Sequence, residues 1–107
     1  MILKYNTDVI SVNNISAAIP EKFILYQNYP NPFNPETVIR YELMKTGYTV
    51  LKIYDIKGIE VNNLVSEVQT AGIYNVKLSG ANLPSGVYYY KLSSGGFSET
   101  KKLVLLK

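Results

Sequence analysis

From Thr37 onward apolar residues fall at every second position, the period of strands with one buried face. Ile39, Tyr41 and Leu43 alternate with Val38, Arg40 and Glu42; Leu51 and Ile53 alternate with Val50, Lys52 and Tyr54. Further along, Tyr74, Val76 and Leu78 share a face opposite Asn75 and Lys77, and Tyr88, Tyr90 and Leu92 one opposite Val87, Tyr89 and Lys91. The stretch 97–106 sets Leu103 and Leu105 against Lys102, Val104 and Leu106, with both faces partly covered near its end, and 59–65 supplies a hairpin partner for 48–55. Turn chemistry separates these runs: Lys45-Thr46-Gly47, Ile56-Lys57-Gly58, Gln69-Thr70-Ala71-Gly72, Leu83-Pro84-Ser85-Gly86 and Gly95-Gly96. Gly58 is free to take positive φ, and Asp55 opens its turn through an Asx-type hydrogen bond. No helical period occurs. Six or seven short strands at roughly 8–12 residue spacing predict an all-β fold, an immunoglobulin-like antiparallel β-sandwich of about seven strands.

The start of the chain reads differently. Residues 1–22 are polar and β-branched, broken at Asn13-Asn14 and Pro20-Glu21, and read as a linker or the end of a preceding region that adds one strand at most, near Val9 to Val12. The folded domain is expected over 23–107. Between the two regimes lies Tyr29-Pro30-Asn31-Pro32-Phe33-Asn34-Pro35, where three prolines lack the N–H that a ladder needs and bias the residues before them toward extended conformations. A stiff segment is predicted there, serving recognition or the lead into the domain and not core packing.

Composition narrows the function more than the fold. A chain of 107 residues suits one domain with a modest core. Without cysteine or histidine, it cannot form disulfides, Cys/His metal centres, Cys nucleophiles or imidazole acid–base pairs. The net charge of +3 comes from 11 basic residues spread among eight acidic ones, with only Lys101 and Lys102 adjacent, so no dense basic face for nucleic acid is expected. The apolar run from Leu103 to Leu106 is far short of the ~20 residues of a membrane-spanning helix. The opening Met1-Ile2-Leu3-Lys4-Tyr5-Asn6 lacks the succession of a signal peptide.

Candidate chemistry is sparse. Asp55 and Glu60 are carboxylates of the kind that flank a sugar bond in glycosidases, but a turn-opening role for Asp55 and a solvent-facing one for Glu60 outweigh that reading. There is no calcium loop and no glycine-rich phosphate loop, and no cofactor is expected. Asn14-Ile15-Ser16 matches the glycosylation tripeptide and carries little weight. The ten tyrosines suggest a carbohydrate-stacking face, yet the alternation in Tyr88-Tyr89-Tyr90 sends rings to opposite sides, as cross-strand packing does. The closing residues Lys101, Lys102, Leu103, Val104, Leu105, Leu106 and Lys107 read as a last strand whose terminal carboxylate and unpaired ladder groups offer a handle to a partner that adds a strand or captures the terminus.

Tyr29-Pro30-Asn31-Pro32-Phe33-Asn34-Pro35, Ile39-Arg40-Tyr41, Leu51-Lys52-Ile53-Tyr54-Asp55, Leu83-Pro84-Ser85-Gly86-Val87-Tyr88 and the lysine-then-apolar terminus occur in this order. Together they resemble the type A C-terminal sorting domain of the type IX (Por) secretion system over about 23–107. A weaker likeness is to the immunoglobulin-like domain of flagellar hook-capping proteins. The resemblance implies a non-catalytic label on a larger cargo protein of a Gram-negative, Bacteroidetes-type bacterium. The cargo would pass through the periplasm and cross the outer membrane by the type IX translocon, and a sortase-like peptidase would remove the label, leaving a secreted or cell-surface product.

By position, Tyr29, Pro30, Asn31 and Pro32 resemble the first family motif, Gly58 the turn glycine of the second, and Gly86, Val87 and Tyr88 the third, with 101–107 the segment read by the translocon. Ile59 stands where relatives often carry a basic residue, and no tryptophan lies near 76–80. The alternative reading is an immunoglobulin-like carbohydrate- or protein-binding module of a secreted enzyme or adhesin. A weak homodimer through an edge strand stays open.

Overall fold

The computed structural model describes residues 19–107, so the strand expected near Val9 to Val12 and the Asn14-Ile15-Ser16 tripeptide lie outside the described residues. Among the described residues seven strands follow one another without a helix: β1 (Ile24–Leu25), β2 (Glu36–Leu43), β3 (Gly47–Tyr54), β4 (Glu60–Gln69), β5 (Gly72–Ser79), β6 (Gly86–Ser94) and β7 (Phe97–Leu105). They form two antiparallel sheets, ordered β1-β2-β5 and β4-β3-β6-β7. In the seven-strand constant-type immunoglobulin domain the fourth strand belongs to the sheet of the first, second and fifth. Here the tight turn at 55–59 makes β3 and β4 a hairpin, so the fourth strand stays on the sheet of the third and, among the described residues, no strand lies on the outer edge of β5.

The alternation read from the sequence is the alternation observed. Ile39, Tyr41 and Leu43 of β2 and Leu78 of β5 are buried from one sheet, and Leu51, Ile53, Tyr88, Tyr90, Leu92, Leu103 and Leu105 from the other. Tyr89, between two core tyrosines, faces outward. The two glycines of the β6–β7 hairpin, Gly95 and Gly96, both have positive φ, 52° and 88°, as a two-residue hairpin turn requires.

Tyrosine hydroxyls that enter the core find partners. Tyr41 donates to Gln69 Oε1 at 2.6 Å, and Tyr90 donates to the carbonyl of Tyr26 at 2.6 Å, tying one sheet to the lead-in of the other. Tyr88, at the start of β6, donates back to the Pro84 carbonyl at 2.6 Å, the tyrosine corner seen in many sandwiches of this type.

One expectation is corrected. The proline segment forms no strand, only isolated bridges at Tyr29 and Phe33, but it does pack the core: Phe33 is 2% exposed and belongs to the central cluster. The prolines preclude a ladder, yet nothing prevents the single large apolar side chain between them from turning inward.

Candidate functional site

The first and last motifs lie against each other. β7 is an edge strand, and the backbone groups of Lys102, Val104 and Leu106 point away from β6. The proline segment meets them one by one. Phe33 N–H donates to Val104 O at 2.9 Å, Leu106 N–H donates to Phe33 O at 3.0 Å, Val104 N–H donates to Asn31 Oδ1 at 3.0 Å, and Gln27 Nε2 donates to Lys102 O at 2.7 Å. The expectation of an unpaired ladder along the whole terminal strand is therefore wrong over 104–106. A backbone lacking N–H at Pro32 and Pro35 still offers Phe33, whose own N–H and C=O supply one short rung.

A buried polar network holds this brace in place. Asn28, 2% exposed, donates from Nδ2 to the Pro30 carbonyl at 3.1 Å and to Thr37 Oγ1 at 3.0 Å, and Thr37 donates to the same carbonyl at 2.8 Å. The backbone N–H of Asn28 donates to the Tyr90 hydroxyl at 2.8 Å. Gly80 closes the other side: a Cβ there would lie 2.8 Å from Leu105 Cδ2 and 3.2 Å from Phe33 Cε2, so a larger residue would have to displace these buried side chains.

Within 101–107 the structure separates two sets. Leu103 and Leu105 are core, 1% and 0% exposed, whereas Lys102, Leu106 and Lys107 are exposed and Lys101 and Val104 half-buried. Lys101 Nζ pairs with Glu99 at 3.4 Å, and Lys107 is fastened by its N–H to Ser85 Oγ at 3.1 Å and by Nζ to the Ala81 carbonyl at 2.8 Å.

The second and third motifs meet at one pole. Asp55 Oδ1 accepts from Lys57 N–H and Ile59 N–H, each at 2.9 Å, and Gly58 adopts φ 83°, as the sequence predicts. Glu60 is exposed and paired with Lys52 at 3.1 Å, a contact that holds the Lys52 ammonium above its ordinary range. Asp55 and Glu60 thus serve a turn and a surface pair. A groove of about 530 Å³ lies on one side of Ile56, lined by Tyr54, Lys57, Tyr89, Lys91 and Thr100 among others. A second of about 440 Å³ lies on its other side, against Val61 and the corner at 83–88 that carries Gly86, Val87 and Tyr88.

Sequence reasoning missed Gln27, Asn28, Phe33 and Thr37. One signal was available: carbonyls between prolines have no local N–H to meet them, so polar side chains flanking such a segment are candidate donors.

A family model described as secretion system C-terminal sorting domain matches residues 27–106, from the brace to the end of the terminal strand. No curated protein and no solved structure matches the chain.

Proposed function

Because this chain belongs to the family of type IX secretion C-terminal sorting domains, we propose that residues 23–107 form a non-catalytic address whose exposed side chains at Lys102, Leu106 and Lys107 are read by the outer-membrane translocon. A sorting domain labels cargo and does not transform a substrate, and its family places it in secreted or cell-surface proteins of Bacteroidetes-type bacteria. On this reading the cargo reaches the translocon from the periplasm and a sortase-like peptidase removes the label afterwards. The observation that supports it is the pairing of the first motif with the last: Asn31 and Phe33 hold the terminal strand so that alternate side chains present themselves on a rigid edge.

The structure dictates how to test this. Deleting 101–107 would remove Leu103 and Leu105 from the core together with part of the ladder to β6, so lost export would report unfolding as readily as a lost signal. The better test fuses 23–107 to a periplasmic reporter in a type IX-competent bacterium and compares it with Lys102→Glu/Leu106→Ser/Lys107→Glu, which leaves both leucines in place. We expect an unchanged thermal transition and export reduced roughly tenfold or more, the loss typical of removing anchor contacts. Equal export would overturn the assignment of the terminal segment. The tyrosine-lined groove beside Lys91 favours the second reading, a ligand-binding module, and glycan binding unaffected by the triple substitution would support it.

A further inference from the structure

The brace covers only half of the terminal strand. In β7 the register with β6 is unbroken from Gly86↔Leu105 to Ser94↔Phe97, so the residues whose backbone groups turn outward alternate regularly: Val104, Lys102, Thr100 and Ser98. Those of Val104 and the carbonyl of Lys102 are met by the proline segment and Gln27. Among the described residues nothing meets the N–H and C=O of Ser98 and Thr100 or the N–H of Lys102, and all three residues are exposed.

The neighbouring face is cationic and aromatic. Lys91 lies directly opposite Thr100 in the register, and Tyr89 opposite Lys102. Thr100 itself lines the groove formed with Tyr54, Lys57, Tyr89 and Lys91. Lys52 and Lys101 are neutralised by Glu60 and Glu99, but among the described residues no carboxylate lies within 4.0 Å of the amines of Lys57, Lys91 or Lys102.

The geometry points to residues 98–102 as a strand-addition site for an extended acidic segment of the export machinery, its backbone completing the open ladder and its carboxylates lying over Lys57, Lys91 and Lys102. Backbone pairing supplies affinity in this mode of recognition, and alternate side-chain pockets supply selectivity. The inference rests on the proposed function and names the chemistry of its partner.

The molecule contains its own control. In β2, Val38 and Arg40 turn their backbone groups toward the first strand and its continuation, so Ile39↔Val76 and Tyr41↔Tyr74 carry the ladder to β5 and the groups of Ile73, Asn75 and Lys77 face outward from an edge that is equally open among the described residues. Of the three lysines that flank the β7 edge it has one counterpart, Lys77. Thr100→Pro and Asn75→Pro each remove an N–H with no partner among the described residues, a position where an edge strand tolerates proline.

The experiment uses the full chain and purified type IX translocon, with amide exchange and equilibrium binding as readouts. We expect the amides of Ser98, Thr100 and Lys102 to be protected in the complex and those of Ile73, Asn75 and Lys77 unchanged. Thr100→Pro should keep its thermal transition and bind about tenfold or more weakly, while Asn75→Pro binds normally; Lys91→Glu/Lys102→Glu, which leaves the backbone intact, should weaken binding severalfold with a reduced salt dependence. Binding of the wild-type chain with protection on the Asn75 edge, or normal binding by folded Thr100→Pro, overturns the strand-addition site and leaves the sorting role standing. Failure of the wild-type chain to bind overturns both. Protection of the Ser98, Thr100 and Lys102 amides in the free chain would show that residues 1–18 or a second copy already occupies the edge, and would equally overturn it.

Discussion

The segment 27–35 and the turn at 55–59 are both short connections, and they are built on opposite principles. The turn is closed by its own residues: Asp55 N–H donates to Ile59 O and Gly58 N–H to Asp55 O, each at 2.9 Å, and Asp55 Oδ1 takes two further N–H groups. The proline segment is closed by residues far along the chain. Gln27 bonds a carbonyl 75 positions away, Asn31 an amide 73 away, and Asn28 a hydroxyl 62 away. A turn that satisfies itself can be altered without consequence for the core, whereas a brace made of distant partners fails together with whatever it holds. In a sorting domain this couples the first motif to the terminal strand, so that damage to the prolines' neighbourhood should be felt at the segment proposed to be read.

Truncating the apolar side chain of each connection should separate the two most widely. Phe33→Ala should cost about 3–5 kcal/mol, because a fully enclosed aromatic ring packed against Leu105 leaves a cavity the prolines cannot collapse into. Ile56→Ala, at a side chain 70% exposed, should stay within about 0.5 kcal/mol. Urea unfolding of the two variants checks both; similar losses would mean that the brace is no more a part of the core than the turn is.

A smaller effect is expected at the hydroxyl that ties the brace to the sheets. Tyr90→Phe leaves the Tyr26 carbonyl and the Asn28 amide without a partner and should cost about 1–3 kcal/mol. Burial pushes the phenols of Tyr90 and Tyr41 up from 10.0 to about 12. A raised folded-state value means that the native domain retains protons the unfolded chain has lost, so this contribution is complete below pH 10 and disappears as pH rises toward 12. Stability measured from pH 9 to 12 should fall over that window, and Tyr90→Phe should flatten the fall; a curve identical to wild type would mean that Tyr90 titrates as an exposed phenol.

What was legible in the sequence follows the same division. The strands, their faces and the Asp55 turn were legible because period-two alternation and turn chemistry are properties of adjacent residues. Even the opposite directions of Tyr88 and Tyr89 could be read. Phe33 could not be placed, because a lone aromatic between prolines has no periodic neighbours to show which way it turns, and only the approach of Leu105 decides it. Asn28 and Thr37 were missed for the related reason that their shared acceptor, the Pro30 carbonyl, needs them only once the segment is pressed against Tyr90. Leu103 and Leu105 were read as one face of the terminal strand, but which face is presented and which edge is covered depends on the brace.

A loss smaller than that at Tyr90 is expected at Asp55 of the self-contained turn, and its confinement is what distinguishes it. Asp55→Ala removes the acceptor of the Lys57 and Ile59 amides but leaves the backbone bonds between positions 55, 58 and 59, and both amides sit at the exposed tip. The expected loss is about 0.5–1.5 kcal/mol, since water replaces the carboxylate at little cost. Amide exchange should quicken at Lys57 and Ile59 while Phe33 and Val104, whose bonds belong to the brace, keep their protection. If their exchange quickened as well, the turn and the brace would be coupled through the start of β6, which runs beside both, and the independence of the turn would have to be abandoned.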